Sequence, residues 1–174
     1  MEKNVKKWNN VENFFISLQL RIRIIMVTFI GTYTAKVDDK GRLVLPAAVR
    51  RIMPVGGDMR FVIKKGIFDD YLEMSTYEEW TSEAEDTKSK LDFFNDEHVQ
   101  FWREYMRGIE VVEPDAKLGR ISIPRNLLDA IGVTKEVVFL GIGSKLEVWA
   151  KESYEASRIT NEKFVSIARS LSKK

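Results

Sequence analysis

Two short stretches hold the residues whose types and spacing suit recognition chemistry. Asp38-Asp39-Lys40-Gly41-Arg42 runs into Leu43-Val44-Leu45-Pro46, and Asp115-Ala116-Lys117-Leu118-Gly119-Arg120 runs into Ile121-Ser122-Ile123-Pro124. A glycine turn carries a lysine and an arginine at each tip. Arginine offers two parallel N–H groups to a phosphate or a guanine edge, and lysine adds a point charge. The chemistry this points to is the gripping of a polyanion, not the making of bonds. Lys40, Arg42 and Arg120 are the leading candidates for contact with nucleic acid, with Lys117 and Lys36 beside them. Asp38, Gly41, Asp115 and Gly119 read as the residues that shape the turns. Each aspartate has two readings: it accepts the amide N–H groups of its turn, or it pairs with the arginine and aims it.

Composition excludes much else. The chain has 174 residues, no cysteine and one histidine, His98. That removes disulfides, thiolate metal sites and a cysteine nucleophile, and argues against a His-built metal centre or an imidazole base. No Gly-rich phosphate loop is present, so we assign no catalytic residue, metal, cofactor or small-molecule substrate. The lack of cysteine fits a reducing compartment. Net charge is +2, from 28 basic and 26 acidic residues, but it is unevenly spread. Residues 26–66 hold 8 basic and 3 acidic groups, while residues 67–104 hold 3 and 12. A basic front and an acidic middle predict one face for a polyanion and another that is solvated or faces a partner.

The elements that must position the two tips follow from periodicity. Phe29 to Val37 alternates and predicts a half-buried strand. Gly41 suits a positive φ in a hairpin turn, and Arg42 to Leu45 is the return strand with Leu43 and Leu45 inward. Pro46 opens a short helix through about Met53, stopped by Pro54-Val55-Gly56-Gly57. A second hairpin joins Phe61-Val62-Ile63 to Leu72-Glu73-Met74. The order then repeats: Ile121 and Ile123 return, Leu127, Leu128 and Ile131 stripe a helix, and 137–140 pairs with 146–148. A helical stretch over about 76–107 joins the units, started by a capping box at Ser75 or Thr76 with Glu78 or Glu79. Its aromatic residues from Trp80 to Tyr105 read as core or subunit interface. Its acids Glu78, Glu79, Glu83, Glu85 and Asp86 read as a solvated face that repels DNA. Thr160 caps a last amphipathic helix with Phe164, Ile167, Ala168 and Leu171 on one side.

The two copies lie 78 residues apart, as an internal repeat of one supersecondary unit. A hairpin pair alone buries too little to stand by itself, so two units closing on each other predict a small barrel with helices outside. Residues 1–25 fall outside this pattern: a start-site artefact, a loose tail or an amphipathic surface helix, too short and too interrupted by Arg21 and Arg23 to span a bilayer. The units are then 26–90 and 108–174, joined by a connecting helix at 91–107. Arg50 and Arg51 on the first short helix and Arg125 on the second are weaker outward-facing candidates, and His98 is a surface or interface residue.

This doubled D-x-K-G-R pattern resembles the MraZ family of transcriptional regulators. So do the flanks Phe29-Ile30-Gly31, Phe101-Trp102-Arg103 and Gly141 to Trp149, and the resemblance runs over about residues 27–155. It implies an α+β, mainly β fold of two tandem SpoVT/AbrB-type units in a pseudo-symmetric swapped-hairpin β-barrel with flanking helices. It further implies a cytoplasmic, nucleoid-associated homo-oligomer, shaped as a ring. That ring binds short direct repeats in double-stranded promoter DNA and represses its own division and cell-wall gene cluster. Carried over by position, the DNA-contacting residues are Lys40, Arg42 and Arg120. One departure lengthens the second turn. The family's second aspartate falls on Ala116, with Asp115 one step earlier, and Leu118 is the extra residue. That leaves open whether the second copy grips DNA as the first does, and sets Leu118 as a contact for a neighbouring subunit. The other reading is an antitoxin-like or assembly module whose basic hairpins bind a protein.

Overall fold

The computed structural model describes residues 27–53 and 56–172. The N-terminal extension to residue 25, and the Pro54-Val55 part of the expected helix stop, lie outside the described residues. Fourteen elements are described. The strands are β1 (Phe29–Lys36), β2 (Arg42–Val44), β3 (Phe61–Lys65), β4 (Tyr71–Thr76), β5 (Glu110–Val112), β6 (Arg120–Ser122), β7 (Glu136–Gly143) and β8 (Lys145–Ala150). The helices are α1 (Ala47–Ile52), α2 (Tyr77–Ser89), α3 (Asp96–Met106), α4 (Arg125–Ala130), α5 (Lys151–Ala156) and α6 (Asn161–Leu171).

Six strands form one antiparallel sheet in the order β1-β7-β8-β4-β3-β5, and β2 pairs with β6 as a separate two-stranded ribbon. The hairpins β3–β4 and β7–β8 form within their own halves, in the expected places. The chain also reverses at residues 38–42, but β1 and β2 do not build the expected hairpin ladder. β1 pairs along its length with β7, from Phe29 opposite Gly143 to Lys36 opposite Glu136. β2 takes β6 as its partner instead.

The expected closed barrel is likewise not found: the larger sheet is open, with β1 and β5 as its edges. The physical reason lies in the ribbon. Because β2 and β6 satisfy each other's backbone groups, neither bridges the sheet edges. They lie against the sheet face and cover it with Leu43 and Ile121, while Leu45 and Ile123 follow directly behind. All four are buried in one core with Phe29, Phe61, Ile63, Leu72, Met74, Phe139, Leu146 and Val148. Each such side chain contributes roughly 1.5–3 kcal/mol by leaving water.

Strand alternation sends the other residues to the opposite face. Lys64, Glu73 and Lys145 point there, where α2 packs. Lys64 Nζ lies 3.1 Å from Glu73 and 3.5 Å from Glu83, and Lys145 Nζ lies 3.0 Å from Glu73 and 2.5 Å from Glu83. Tyr105 of α3 accepts from Lys64 at 3.0 Å. Glu83 is therefore no part of the solvated acidic face expected for it; it ties α2 to β3 and β8. Its carboxyl sits below the usual range. Burial works against that, and the bonds from Lys145 and the charge of Lys64 outweigh it.

The joining stretch is two helices, not one. Asp92 Oδ1 accepts from Phe94 N, Asn95 Oδ1 caps α3 at Glu97 N, and His98 Nδ1 accepts from Asp92 N at 2.9 Å. These local side-chain bonds offer the backbone an alternative to helix. Phe93, Phe94 and Phe101 stand exposed and do not join the core. Thr76 caps α2 at Glu79 N and Thr160 caps α6 at Lys163 N, as their sequence patterns predict.

Candidate nucleic-acid interface

Both turns are closed by the same backbone bonds. Gly41 N donates to Asp38 O and Asp38 N to Arg42 O; Gly119 N donates to Asp115 O and Asp115 N to Arg120 O. Gly41 and Gly119 take φ of 75° and 64°, a region open to glycine and strained for other residues. Each glycine also docks on the opposite half. Ile123 N donates to Gly41 O at 2.9 Å, and Leu45 N donates to Gly119 O at 2.9 Å. A Cβ on Gly41 would lie 2.3 Å from the carbonyl oxygen of Ile123. The glycines thus hold the turns and also lock the two copies together.

That lock sets the register of the ribbon: Arg42 opposite Ser122, Leu43 opposite Ile121, Val44 opposite Arg120. Leu43 and Ile121 face the core, so Arg42, Val44, Arg120 and Ser122 share the outer face, and all four are exposed. Arg42 and Arg120, 78 residues apart in sequence, are diagonal neighbours, with such pairs spaced about 7–8 Å. A shallow concavity there is lined by Lys36, Val37, Asp38, Arg42, Val44 and Arg120. Lys40 and Lys117 are exposed in the turns on either side. Four of the five basic candidates come from the two turns and Lys36 from the end of β1. Val44 and Ser122, which complete the outer face, escaped the sequence reading. The alternation gave their direction, but only the β2–β6 pairing sets them between the arginines.

The aspartates divide their bonds differently. Asp38 Oδ1 accepts from Lys40 N and Arg42 N, both at 2.9 Å, and its Oδ2 takes Arg42 Nε and Nη2, both at 2.8 Å. Asp115 accepts from three amides: Lys117 N at 3.0 Å, Leu118 N at 2.8 Å and Arg120 N at 2.9 Å. The Arg120 guanidinium has no hydrogen bond or ion pair among the described residues. Both carboxyls are held below their ordinary range. For Asp38 the Arg42 amide is the main cause and the Arg42 guanidinium the next; for Asp115 it is the Leu118 amide and then the Arg120 amide. Leu118, the extra residue, is about half exposed at its tip.

The weaker candidates scatter. Arg50 does not face outward as expected. It is half-buried and folds over the second turn, where a Cβ on Gly119 would meet its Cδ at 2.4 Å. The absence of a β-carbon there makes room for it. Arg125 Nε is bonded to Asp129 at 2.8 Å, and Arg51 is exposed.

The arrangement is a recognition surface on an α+β scaffold, with paired cations on a rigid ribbon. Comparison with known proteins agrees. Residues 106–168 match a family model described as "MraZ protein, putative antitoxin-like". The protein named transcriptional regulator MraZ in Bacteroides thetaiotaomicron is 32% identical over 139 residues, 80% of this chain and 88% of that protein. The one in Bacteroides fragilis is 34% identical over 130 residues, 75% and 82%. The one in Clostridium beijerinckii is 36% identical over 143 residues, 82% and 96%. The chain belongs to the MraZ family, a family of transcriptional regulators and not of enzymes. Among the described residues no helix is long and apolar enough to cross a membrane.

Proposed function

We propose that this chain is a sequence-specific DNA-binding regulator that offers the β2/β6 ribbon to the major groove. The observation that carries the reading is the shared outer face of Arg42 and Arg120 on one exposed ribbon. The major groove is about 12 Å wide and admits a two-stranded ribbon. Lys40, Lys117 and Lys36 then lie where phosphates pass, and fix orientation without reading sequence. The acidic helix α2 sits on the far face of the sheet, where its charge does not oppose the approach.

A single copy with a net charge of +2 grips DNA weakly. A homo-oligomer, a ring in the reading that the family resemblance supports, presents several ribbons at once and raises avidity by roughly 10²–10⁴. Its operator is then a set of short direct repeats about one helical turn apart. They lie upstream of the chain's own division and cell-wall gene cluster, and their occupation represses it. The description of the matching family model as antitoxin-like favours a second reading, in which the ribbon binds an acidic protein.

Gel shift with the duplex upstream of the chain's own gene, with and without excess nonspecific DNA, separates the two. The regulator retains its shift under competition, and footprints show evenly spaced protection. Arg42→Ala weakens binding and lowers the log–log salt slope by about 1 for a lost phosphate or base-edge cation contact. Unchanged affinity and slope would remove the ribbon from the interface.

A further inference from the structure

We infer that the two arginines of the ribbon do different work: Asp38 makes Arg42 the reader of sequence, and Arg120 serves as a mobile phosphate contact. The inference rests on the DNA-binding reading above and concerns what each copy contributes to it. Asp38 is a positioning residue here. Its Oδ2 holds the Nε and Nη2 edge of Arg42, at 2.8 Å to each nitrogen. The same carboxylate is itself fixed by two turn amides through Oδ1. The guanidinium is therefore anchored to the backbone through one rigid intermediary. What remains free is its end: both hydrogens of Nη1 and the second hydrogen of Nη2. Those point forward as a parallel pair, the geometry that matches two acceptors on one base edge, as guanine presents in the major groove. Pre-orientation matters because a side chain held before binding loses less freedom on binding.

The second copy lacks this device. Leu118 lengthens the turn by one residue, and the added amide takes a share of the Asp115 carboxylate at 2.8 Å. All three bonds at Asp115 come from backbone, and the Arg120 guanidinium is left unanchored. An untethered cation beside the exposed Lys117 satisfies a phosphate, which accepts from many directions, but aims poorly at a base. One inserted residue thus separates reading from gripping.

The test uses charge-conserving variants, since lysine keeps the point charge and loses the fork. The full chain, as wild type, Arg42→Lys, Arg120→Lys and Asp38→Asn, is titrated against the duplex upstream of its own gene and a scrambled duplex of equal composition. Thermal melts confirm that each variant folds. Arg42→Lys and Asp38→Asn are expected to narrow the preference for the upstream duplex about tenfold, the scale of one bidentate base contact, with the salt slope kept. Arg120→Lys is expected to leave the preference within about twofold, because a lysine still neutralises one phosphate. Equal losses from Arg42→Lys and Arg120→Lys overturn the division of labour. So does a full preference retained by Asp38→Asn. A wild-type protein with no preference between the duplexes overturns the DNA-binding reading instead, so the two failures are distinct.

Discussion

The two turns of the ribbon share a sequence pattern and a backbone frame, yet they treat their arginines differently. In the first, Asp38 binds two amides and the Arg42 guanidinium; in the second, Asp115 binds three amides and no guanidinium. Core packing is the same in both, since Leu43 and Ile121 face each other across the ribbon and both are buried. The difference teaches that a carboxylate has a limited number of acceptor sites, and that a longer turn fills them with backbone. A duplicated motif can keep its scaffold role while losing its hold on the side chain that meets a ligand.

The comparison can be broken first at its symmetric part. Leu43→Ala and Ile121→Ala are each expected to lower stability by about 3 kcal/mol, as for large-to-small changes in a packed core. Urea denaturation checks this, and a large loss from one with none from the other would mean that the halves do not share one core. Next come the glycines. Gly41→Ala is expected to cost about 2–3 kcal/mol, because a positive φ is combined with an overlap against the Ile123 carbonyl. Gly119→Ala is expected to cost about 1 kcal/mol, because its obstacle is the flexible Arg50 side chain, which can move aside. Equal denaturation midpoints for the two variants would contradict the rigid docking at Gly41.

Deleting Leu118 sharpens the contrast by making the second turn Asp-Ala-Lys-Gly-Arg, the spacing of the first. The Arg120 Nε–H is then expected to become protected, and solvent exchange of arginine side-chain protons should show two slow groups in place of one. A still-fast Arg120 would show that turn length is not what frees it. The smallest effect concerns pH. Both aspartates ionise more readily in the folded chain than when unfolded, so their contribution is present above about pH 3.9, the ordinary Asp value, and is lost as pH falls through the folded values. Asp38→Asn and Asp115→Asn should each flatten the acid side of a stability–pH curve. Unaltered curves would mean that the turn bonds contribute nothing to folding.

Much of this was legible in the sequence because it is local. The alternation at Leu43, Leu45, Ile121 and Ile123 set the inward faces, the prolines at 46 and 124 marked the starts of α1 and α4, and Thr76 and Thr160 marked caps. The glycines at 41 and 119 announced turns that need positive φ. Less local features were hidden. The break before α3 comes from Asp92, Asn95 and His98 bonding to backbone, against a helical pattern that ran through them. Glu83 resembled its solvated neighbours until Lys64 and Lys145, distant in sequence, came to face it.

From the chain alone came two basic turns, the aspartates and glycines that form them, and an acidic region kept apart from both. Those follow from side-chain chemistry and short-range periodicity, which depend on neighbours a few residues away. Only the folded structure decided that β2 pairs with β6, that the larger sheet stays open, and that Arg42 and Arg120 share one surface. Every extended strand carries the same unpaired N–H and C=O groups, so alternation tells which way a side chain points and not which strand lies alongside. The choice of partner belongs to the packing of the whole core.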